Sequence, residues 1–448
     1  MQEKLLNTSA REVAFKALGL YRRDNAWSEL ALSGLLRSAD LPRLEAALAT
    51  QILGGVLQNM ALCDYYAAYF SSIDLRKLEP RVLDILRLSI YQIVFLTKVP
   101  NSAAVNEAVA LAKKYSNQRA SGFVNALLRK IASAAEGGAL PEIAGDPIHR
   151  LSIKYSHPDW LVREFCNILG RKGAEALLAA NNAGGTPVTV QVNTLHTDLY
   201  KVLRLLENDG VDAMRHEWLD DCIEIRGMGN ITRLEAFEVG YIYVQDAAAR
   251  LAVIAAGPKE GDFVIDGCAA PGGKSFAAAI AMKGSGRIAA FDINAAKLRH
   301  IESGAKRLGI GIIEAINKDA LTRSDEFKDA ADVVFADVPC SGFGVIRKKP
   351  EIRYKTSQEI AGLPEIQGKI LSALSDYVAP GGTLLYSTCS VLRYENEGVV
   401  KRFLEGNGSF APEGFTLPNT GYIKSGMVTL WPHIHGSDGF FICKLRRT

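Results

Sequence analysis

Two cysteines, Cys340 and Cys389, each stand in a short turn of small and polar residues directly after an apolar run, and a carboxylate, Asp337, closes the first of those runs. Asp332-Val333-Val334-Phe335-Ala336-Asp337 delivers Val338-Pro339-Cys340-Ser341-Gly342, and Gly382-Thr383-Leu384-Leu385-Tyr386 delivers Ser387-Thr388-Cys389-Ser390. An ionised thiol is a nucleophile, whereas a lone cysteine is commonly an inert small hydrophobe. Cys63, Cys166, Cys222 and Cys443 read as structural. Cys340 and Cys389 differ because both follow strand-like runs and both sit among Gly, Ser and Thr.

Upstream lies Val264-Ile265-Asp266-Gly267-Cys268-Ala269-Ala270-Pro271-Gly272-Gly273-Lys274-Ser275. It reads as a buried strand ending on Asp266, a tight turn and the start of a helix. Glycine admits a ligand that any Cβ would push away, and N–H groups at a helix start can donate to carboxylate, phosphate or hydroxyl oxygens. This is the outline of a nucleotide-cofactor loop. It lacks the Gly-x-Gly-x-x-Gly spacing of dinucleotide folds. Gly273-Lys274-Ser275 imitates the end of a phosphate loop, but Cys268 replaces the glycine such a loop requires. Asp292, about 20 residues past the glycine turn, is placed to bind both hydroxyls of a ribose. Asp319, in Asn317-Lys318-Asp319-Ala320, is placed to accept from an adenine amino group.

These groups need a frame, and from Ala248 onward strand and helix signals alternate. Strands are expected over 263–266, 287–292, 312–317, 332–337 and 383–387, with helices over 276–282, 295–308 and 364–378. Such alternation predicts a parallel, doubly wound α/β sheet with ligands at the carboxyl ends of its strands, the edge on which both cysteines emerge. Between about 151 and 246 the signals mix. Residues 188–193, 223–225 and 242–244 read as strands and 199–206 as a helix, which fits a small α+β module. From 11 to about 131 the pattern is helical, with Leu48, Ile52, Leu53, Val56 and Leu57 at three- and four-residue spacings. The small, Gly-containing stretch 132–139 reads as a linker.

At 448 residues the chain is too long for one ordinary core, and 48% hydrophobic with 23% charged residues is the balance of a globular protein. A net charge of +3 permits a nucleic-acid partner without arguing strongly for one. The seven cysteines are scattered and never in a Cys-x-x-Cys pair, so neither a disulfide framework nor a metal cluster is indicated. No stretch reads as apolar for the ~20 residues of a membrane span and no signal-peptide core is evident, so a cytoplasmic location is expected, with no membrane and no obligate protein partner.

Asp-Gly-Cys-Ala-Ala-Pro-Gly-Gly-Lys-Ser, Asp-Val-Pro-Cys-Ser-Gly and Ser-Thr-Cys-Ser, in this order, resemble the motifs of the Sun-type RNA 5-methylcytosine methyltransferases. Residues 155–158 through 243–246 are similar to that family's RNA-recognition-like extension. Residues 105–114 and 122–130 resemble the all-helical RNA-binding fold of the antitermination factor NusB. The resemblance covers nearly the whole chain. It implies three domains: a NusB-like all-α bundle over 1–135, an α+β RNA-recognition-like module over 145–246, and a class I methyltransferase domain over 247–448.

The cofactor it implies is S-adenosylmethionine, held by Cys268, Ala269, Ala270, Pro271, Gly272, Gly273 and Lys274, with Asp292 on the ribose, Asp319 beside the adenine and Asp337 near both cofactor and base. The catalytic set it implies is Cys389 as nucleophile at cytosine C6, Cys340 as the group that helps release product, Asp337 on the base edge and Lys274 as the charge beside the thiolate. Ser275 and Val338 stand where Thr and Ala are frequent in the family, a change that keeps the size class. The implied substrate is RNA, 16S ribosomal RNA foremost. The rivals are the same chemistry on transfer RNA and a noncatalytic, antitermination-like RNA-binding factor. Two basic clusters, Lys113, Lys114, Arg119, Arg129 and Lys130, and Arg347, Lys348, Lys349, Arg353 and Lys355, are expected to meet RNA phosphates.

Overall fold

The computed structural model describes residues 8–24, 28–227, 229–418 and 420–448; the opening residues of the expected helical domain lie outside them. The chain divides into two compact units, Met1–Asn182 and Ala183–Thr448.

The first unit is built from helices: α1 Ala10–Asp24, α2 Ser28–Ala39, α3 Arg43–Phe70, α4 Pro80–Phe95, α5 Asn101–Tyr115, α6 Gln118–Glu136, α7 Pro147–Tyr155 and α8 Asp159–Asn181. Ile52, Leu53, Val56 and Leu57 of α3 are buried against Ile85, Leu86 and Ile90 of α4 and Leu127, Leu128 and Ile131 of α6 in one core. A Cβ on Gly55 would lie 1.9 Å from the Tyr91 ring, so the approach of α3 to α4 depends on glycine there. Contrary to the sequence expectation, α3 is long and apolar enough to cross a membrane. Its composition is that of a helix with neighbours on several sides, packed by α1, α4, α6 and α7.

The expected linker is also corrected in part. Residues 132–136 continue α6, Ala132 is buried, and the helix ends only at Gly137. Alanine and serine lack the long apolar side chains that make periodicity visible, yet alanine is the best helix former. Helices α7 and α8 pack on each other and α7 on α3, so residues 147–181 stand with the bundle.

The second unit opens with β1 Val188–Val192, α9 Leu199–Asn208, β2 Asp212–Arg215, β3 Cys222–Arg226, α10 Glu235–Glu238 and β4 Ile242–Val244. The strands form an antiparallel sheet in the order β2-β3-β1-β4, the split βαβ arrangement of ferredoxin-like folds. There follow α11 Ala247–Ala256, β5 Phe263–Asp266, α12 Gly273–Ala281, β6 Arg287–Asp292, α13 Ala295–Arg307, β7 Ile313–Asn317, β8 Ala331–Asp337, α14 Ser357–Ile360, α15 Leu363–Ser375, β9 Val378–Thr388 and α16 Glu397–Gly406. The chain closes with β10 Phe410–Pro412, β11 Phe415–Leu417, β12 Gly421–Ile423, β13 Met427–Leu430, α17 Pro432–His435 and β14 Phe440–Arg447.

The large sheet has the order β10-β14-β9-β8-β5-β6-β7, with β13 on β14. Strands β5 to β9 pair in parallel and β14 runs antiparallel to β9. The expected parallel strands are all present. β9 begins earlier than expected, at Val378, with an irregularity of the β8–β9 register across Ala379-Pro380-Gly381-Gly382, and the helix expected to reach 378 ends at Ser375. Strand order reverses direction between β5 and β8, which makes the edge after these two strands a topological switch point.

Candidate active site

Asp266 ends β5 and is 1% exposed; one of its oxygens accepts a hydrogen bond from Ser275 Oγ at 2.7 Å. Burial raises its pKa to about 6, against the pull of that hydroxyl and of Lys274. The turn that follows is pinned by backbone bonds from Gly267 N to Phe335 O and from Ala269 N to Phe291 O, at 2.9 and 2.7 Å. A Cβ on Gly267 would lie 2.3 Å from Leu374 Cδ1, and Gly272 has a φ of +109°, so this loop needs glycine at both places.

The loop bounds a cavity of about 200 Å3 lined by Asp266, Cys268, Ala269, Ala270, Pro271, Gly273, Lys274 and Asp337, with Val244, Gln245 and Ala249 from the start of α11 and the strand before it. Gly272 does not line it; a Cβ there would point at the Phe276 ring. Asp292 and Asp319 sit at the ends of β6 and β7, half-buried, where they accept from the Asn294 and Leu321 backbone N–H groups at 2.8 and 2.9 Å. Burial, then the charges of Asp266, Asp337, Asp292 and Asp319, push the Cys268 thiol far above its usual range. Four carboxylates therefore surround this loop, and the thiol inside it is kept protonated.

Lys274 Nζ donates to Asp337 Oδ2 at 2.5 Å and lies 5.3 Å from the centre of the Phe440 ring; Ser387 Oγ donates to Asp337 Oδ1 at 2.8 Å. Burial would lower the Lys274 pKa, but Asp337, Asp266 and Cys389 outweigh it and raise it. Asp337 and Ser387 are register partners on the adjacent parallel strands β8 and β9. The two turns that leave these strands bring Cys340 Sγ and Cys389 Sγ to 3.1 Å. The hydrogen bond with Cys389, then burial, drives the Cys340 thiol well above its usual range.

The polar bonds behind the thiols are not legible in the sequence. Glu395 is fully buried and accepts from Ser341 N–H at 2.8 Å, Ser390 Oγ at 2.9 Å and Gln367 Nε2 at 3.0 Å. Gln367 Nε2 also donates to Pro339 O, and Asn396 bonds Ser390 O and the Thr388 hydroxyl. A further joint is made by backbone alone: Gly344 N donates to Cys389 O and Gly439 N to Gly344 O, both at 2.8 Å. Glu395-Asn396 directly precedes a helix and follows Ser-Thr-Cys-Ser by a few residues, which is the one sequence signal that points there.

The basic run after Cys340 is a correction. Arg353 is fully buried and donates to Pro350 O. Lys348 bridges Asp246 and Asp438 at 2.5 and 2.9 Å, Arg347 lies 3.6 Å from Asp438, and Lys355 holds Ser341 O at 2.7 Å. Most of the run is thus committed to carboxylates and carbonyls of its own unit. Those carboxylates are far away in sequence, which is why the run resembles a solvated face. In the helical unit Lys113, Arg119, Arg129 and Lys130 are exposed, while Lys114 pairs with Glu12 at 2.8 Å.

A family described as 16S rRNA methyltransferase RsmB/F matches residues 253–446, the NusB family matches 8–133, and a ferredoxin-like domain of RsmF/B-like methyltransferases matches 157–232. The chain is 35% identical over 447 residues to the probable ribosomal RNA small subunit methyltransferase B of Bacillus subtilis, covering 98% of this chain and 99% of that protein. The chain belongs to the ribosomal RNA small subunit methyltransferase B family. The corresponding Synechocystis protein is 32% identical over 447 residues, with 98% and 99% covered. Among solved structures, the crystal structure of PH0851 matches with a TM-score of 0.81 at 28% identity, covering 98% of both chains. Family membership bears out the expected layout of NusB-like bundle, small α+β module and methyltransferase sheet in one chain, the α+β module matching as a ferredoxin-like domain.

Proposed function

We propose that this member of the methyltransferase B family transfers a methyl group from S-adenosylmethionine to C5 of a cytosine in 16S ribosomal RNA, through a covalent bond between Cys389 and C6. The observation that carries the reading is the pair of thiols 3.1 Å apart at the ends of β8 and β9, next to the Lys274–Asp337 pair. The substrate follows the names of the relatives, small-subunit ribosomal RNA methyltransferases.

The residues present fit the cofactor. Among the described residues, Gln245 Nε2 and Asp266 Oδ1 are buried polar atoms without a hydrogen-bond partner, one a donor and one an acceptor, in residues that line the cavity. They complement the carboxylate and ammonium of an amino-acid end. Asp292 would take the ribose hydroxyls and Asp319 the adenine edge. When bound, the cofactor supplies an electrophilic methyl group.

Cytosine C5 is a poor nucleophile, and addition of the Cys389 thiolate to C6 makes it enamine-like. Lys274, held by Asp337, sets a positive charge beside the sulfur that must ionise. Asp337 accepts from the base amino group with its remaining lone pairs. After methylation C5 still carries a proton, which must leave before elimination can break the bond from Cys389 to C6. Cys340 is the base for that proton. While Cys389 is a thiolate, its hydrogen bond and charge keep Cys340 protonated. Once that sulfur is a thioether both effects vanish, so Cys340 loses its proton to solvent more easily at the stage that needs a base.

Incubation with labelled S-adenosylmethionine and deproteinised 16S ribosomal RNA, followed by digestion to nucleosides, should yield labelled 5-methylcytidine. Absence of label with protein that binds the cofactor refutes the reading, and label on transfer RNA alone moves it to that substrate.

A further inference from the structure

Glu395 is a carboxylate 0% exposed in the unit that holds the thiols, although nothing in the chemistry above uses it. Burying a carboxylate is costly, and an apolar side chain would fill the same space without that cost. Its hydrogen bonds are distributed in a telling way. One oxygen takes the N–H of Ser341, the residue after Cys340, together with Gln367 Nε2; the other takes the hydroxyl of Ser390, the residue after Cys389. Gln367 adds a bond to the carbonyl of Pro339, the residue before Cys340, and the Ser341 and Ser390 hydroxyls meet at 3.0 Å.

We propose that Glu395 is a positioning residue for the thiol pair: its carboxylate clamps the turn carrying Cys340 to the turn carrying Cys389 and so holds the two sulfurs in reach of each other and of one base carbon system. A neutral carboxylic acid would carry a proton into a site crowded with donors, whereas the anion accepts from all of them. The charge adds to the groups that keep the proton on Cys340. The proposal rests on the adduct chemistry above, and it concerns which residue makes that chemistry geometrically possible.

Two substitutions separate shape from charge. In Glu395→Gln the amide oxygen can accept from Ser341 and Gln367 while its NH2 donates to the Ser390 hydroxyl, so the clamp is kept. In Glu395→Ala it is lost. Thiol proximity is read without RNA or cofactor, from the rate at which a bis-electrophile such as dibromobimane bridges Cys340 to Cys389, identified by peptide mass. Glu395→Ala is expected to slow bridging by roughly tenfold and to lower kcat by about 10²-fold, the loss a displacement of ~1 Å can cause, with the dissociation constant for S-adenosylmethionine within about twofold of wild type. Glu395→Gln should restore bridging and most of kcat.

Wild-type bridging and kcat in Glu395→Ala would overturn the proposal, as would a parallel loss of cofactor binding, which marks a merely structural role. Should Glu395→Ala not fold, Gln367→Ala combined with Ser390→Ala removes two of the clamp's donors and is judged by the same readouts. If wild type bridges its thiols faster than Glu395→Ala yet methylates no cytosine, the reading of the reaction fails and the clamp stands. If wild type and Glu395→Ala methylate and bridge alike, the clamp fails and the reaction stands.

Discussion

Replacing Asp266 by asparagine should make the protein more stable and, on the proposed reading, weaken its binding of S-adenosylmethionine. Asp266 is buried, its Oδ1 has no hydrogen-bond partner of good geometry among the described residues, and its pKa is raised from 3.8 to about 6, chiefly by burial and against the smaller pull of Ser275, Lys274 and the Cys268 backbone. The folded chain therefore holds this proton more tightly than the unfolded chain does, so stability falls as pH rises from 3.8 towards 6 and the cost is fully present above that range. With about 1.4 kcal/mol per pKa unit, the carboxylate costs about 3 kcal/mol at neutral pH. An asparagine side chain cannot ionise, and its amide oxygen still accepts from Ser275, so Asp266→Asn should gain up to about 3 kcal/mol over wild type near pH 8 and little near pH 4. The amide nitrogen would then occupy the place of the unpartnered oxygen and present a donor to the cofactor's ammonium. Losing a charge-assisted hydrogen bond should weaken binding by roughly tenfold or more. Urea unfolding of both proteins at about pH 4 and pH 8, with calorimetric titration of S-adenosylmethionine, measures both effects. An equal stability difference at the two pH values, or unchanged affinity, would refute the reasoning.

Cys340→Ala should accumulate a denaturation-resistant protein–RNA adduct while Cys389→Ala forms none; gel mobility after boiling in detergent decides it, and the reverse pattern exchanges the two roles. Arg353→Ala removes a fully buried side chain that donates to Pro350 O, and should cost about 3 kcal/mol in denaturant unfolding while leaving the salt slope of RNA binding unchanged. Gly344→Ala places a Cβ 1.8 Å from Gly439 O, and the shift this forces should cost about 1–3 kcal/mol and depress methylation together with it. Lys113→Ala with Lys130→Ala should weaken RNA binding and flatten its salt dependence by about one unit per lost phosphate contact; an unchanged slope in a salt titration would clear these residues.

Much of the site is legible because its chemistry is local in sequence. Each motif is a strand end followed by its own turn, and the sheet order carries all of them to one edge, so Lys274, Asp337, Cys340 and Cys389 can be placed together without coordinates. Glu395, Gln367 and Gln245 are not legible. The partners of Glu395 are 28 and 54 residues away along the chain for Gln367 and Ser341, and a buried polar side chain has no periodicity to announce it. The same distance explains the misread basic run: Lys348 meets Asp246 and Asp438 across 102 and 90 residues. At the other extreme, residues 132–136 fail as a linker because small side chains hide a helix that their propensity favours.

The backbone joint of Gly344, Cys389 and Gly439 ties the order of synthesis to the completion of the sheet edge. The glycine turn after β5 is made first, Cys340 and Cys389 follow, and only when residue 439 arrives can its N–H bond Gly344 O and β14 take its place beside β9. A nascent chain that ends before residue 439 can already make the Gly344–Cys389 bond but lacks the one that Gly439 adds to Gly344. Pairings this distant close late, because the entropy of ordering the intervening chain must be met before they form. The bond from Gly439 to Gly344 and the pairing of β14 with β9 therefore form only after both cysteine-bearing turns have been made.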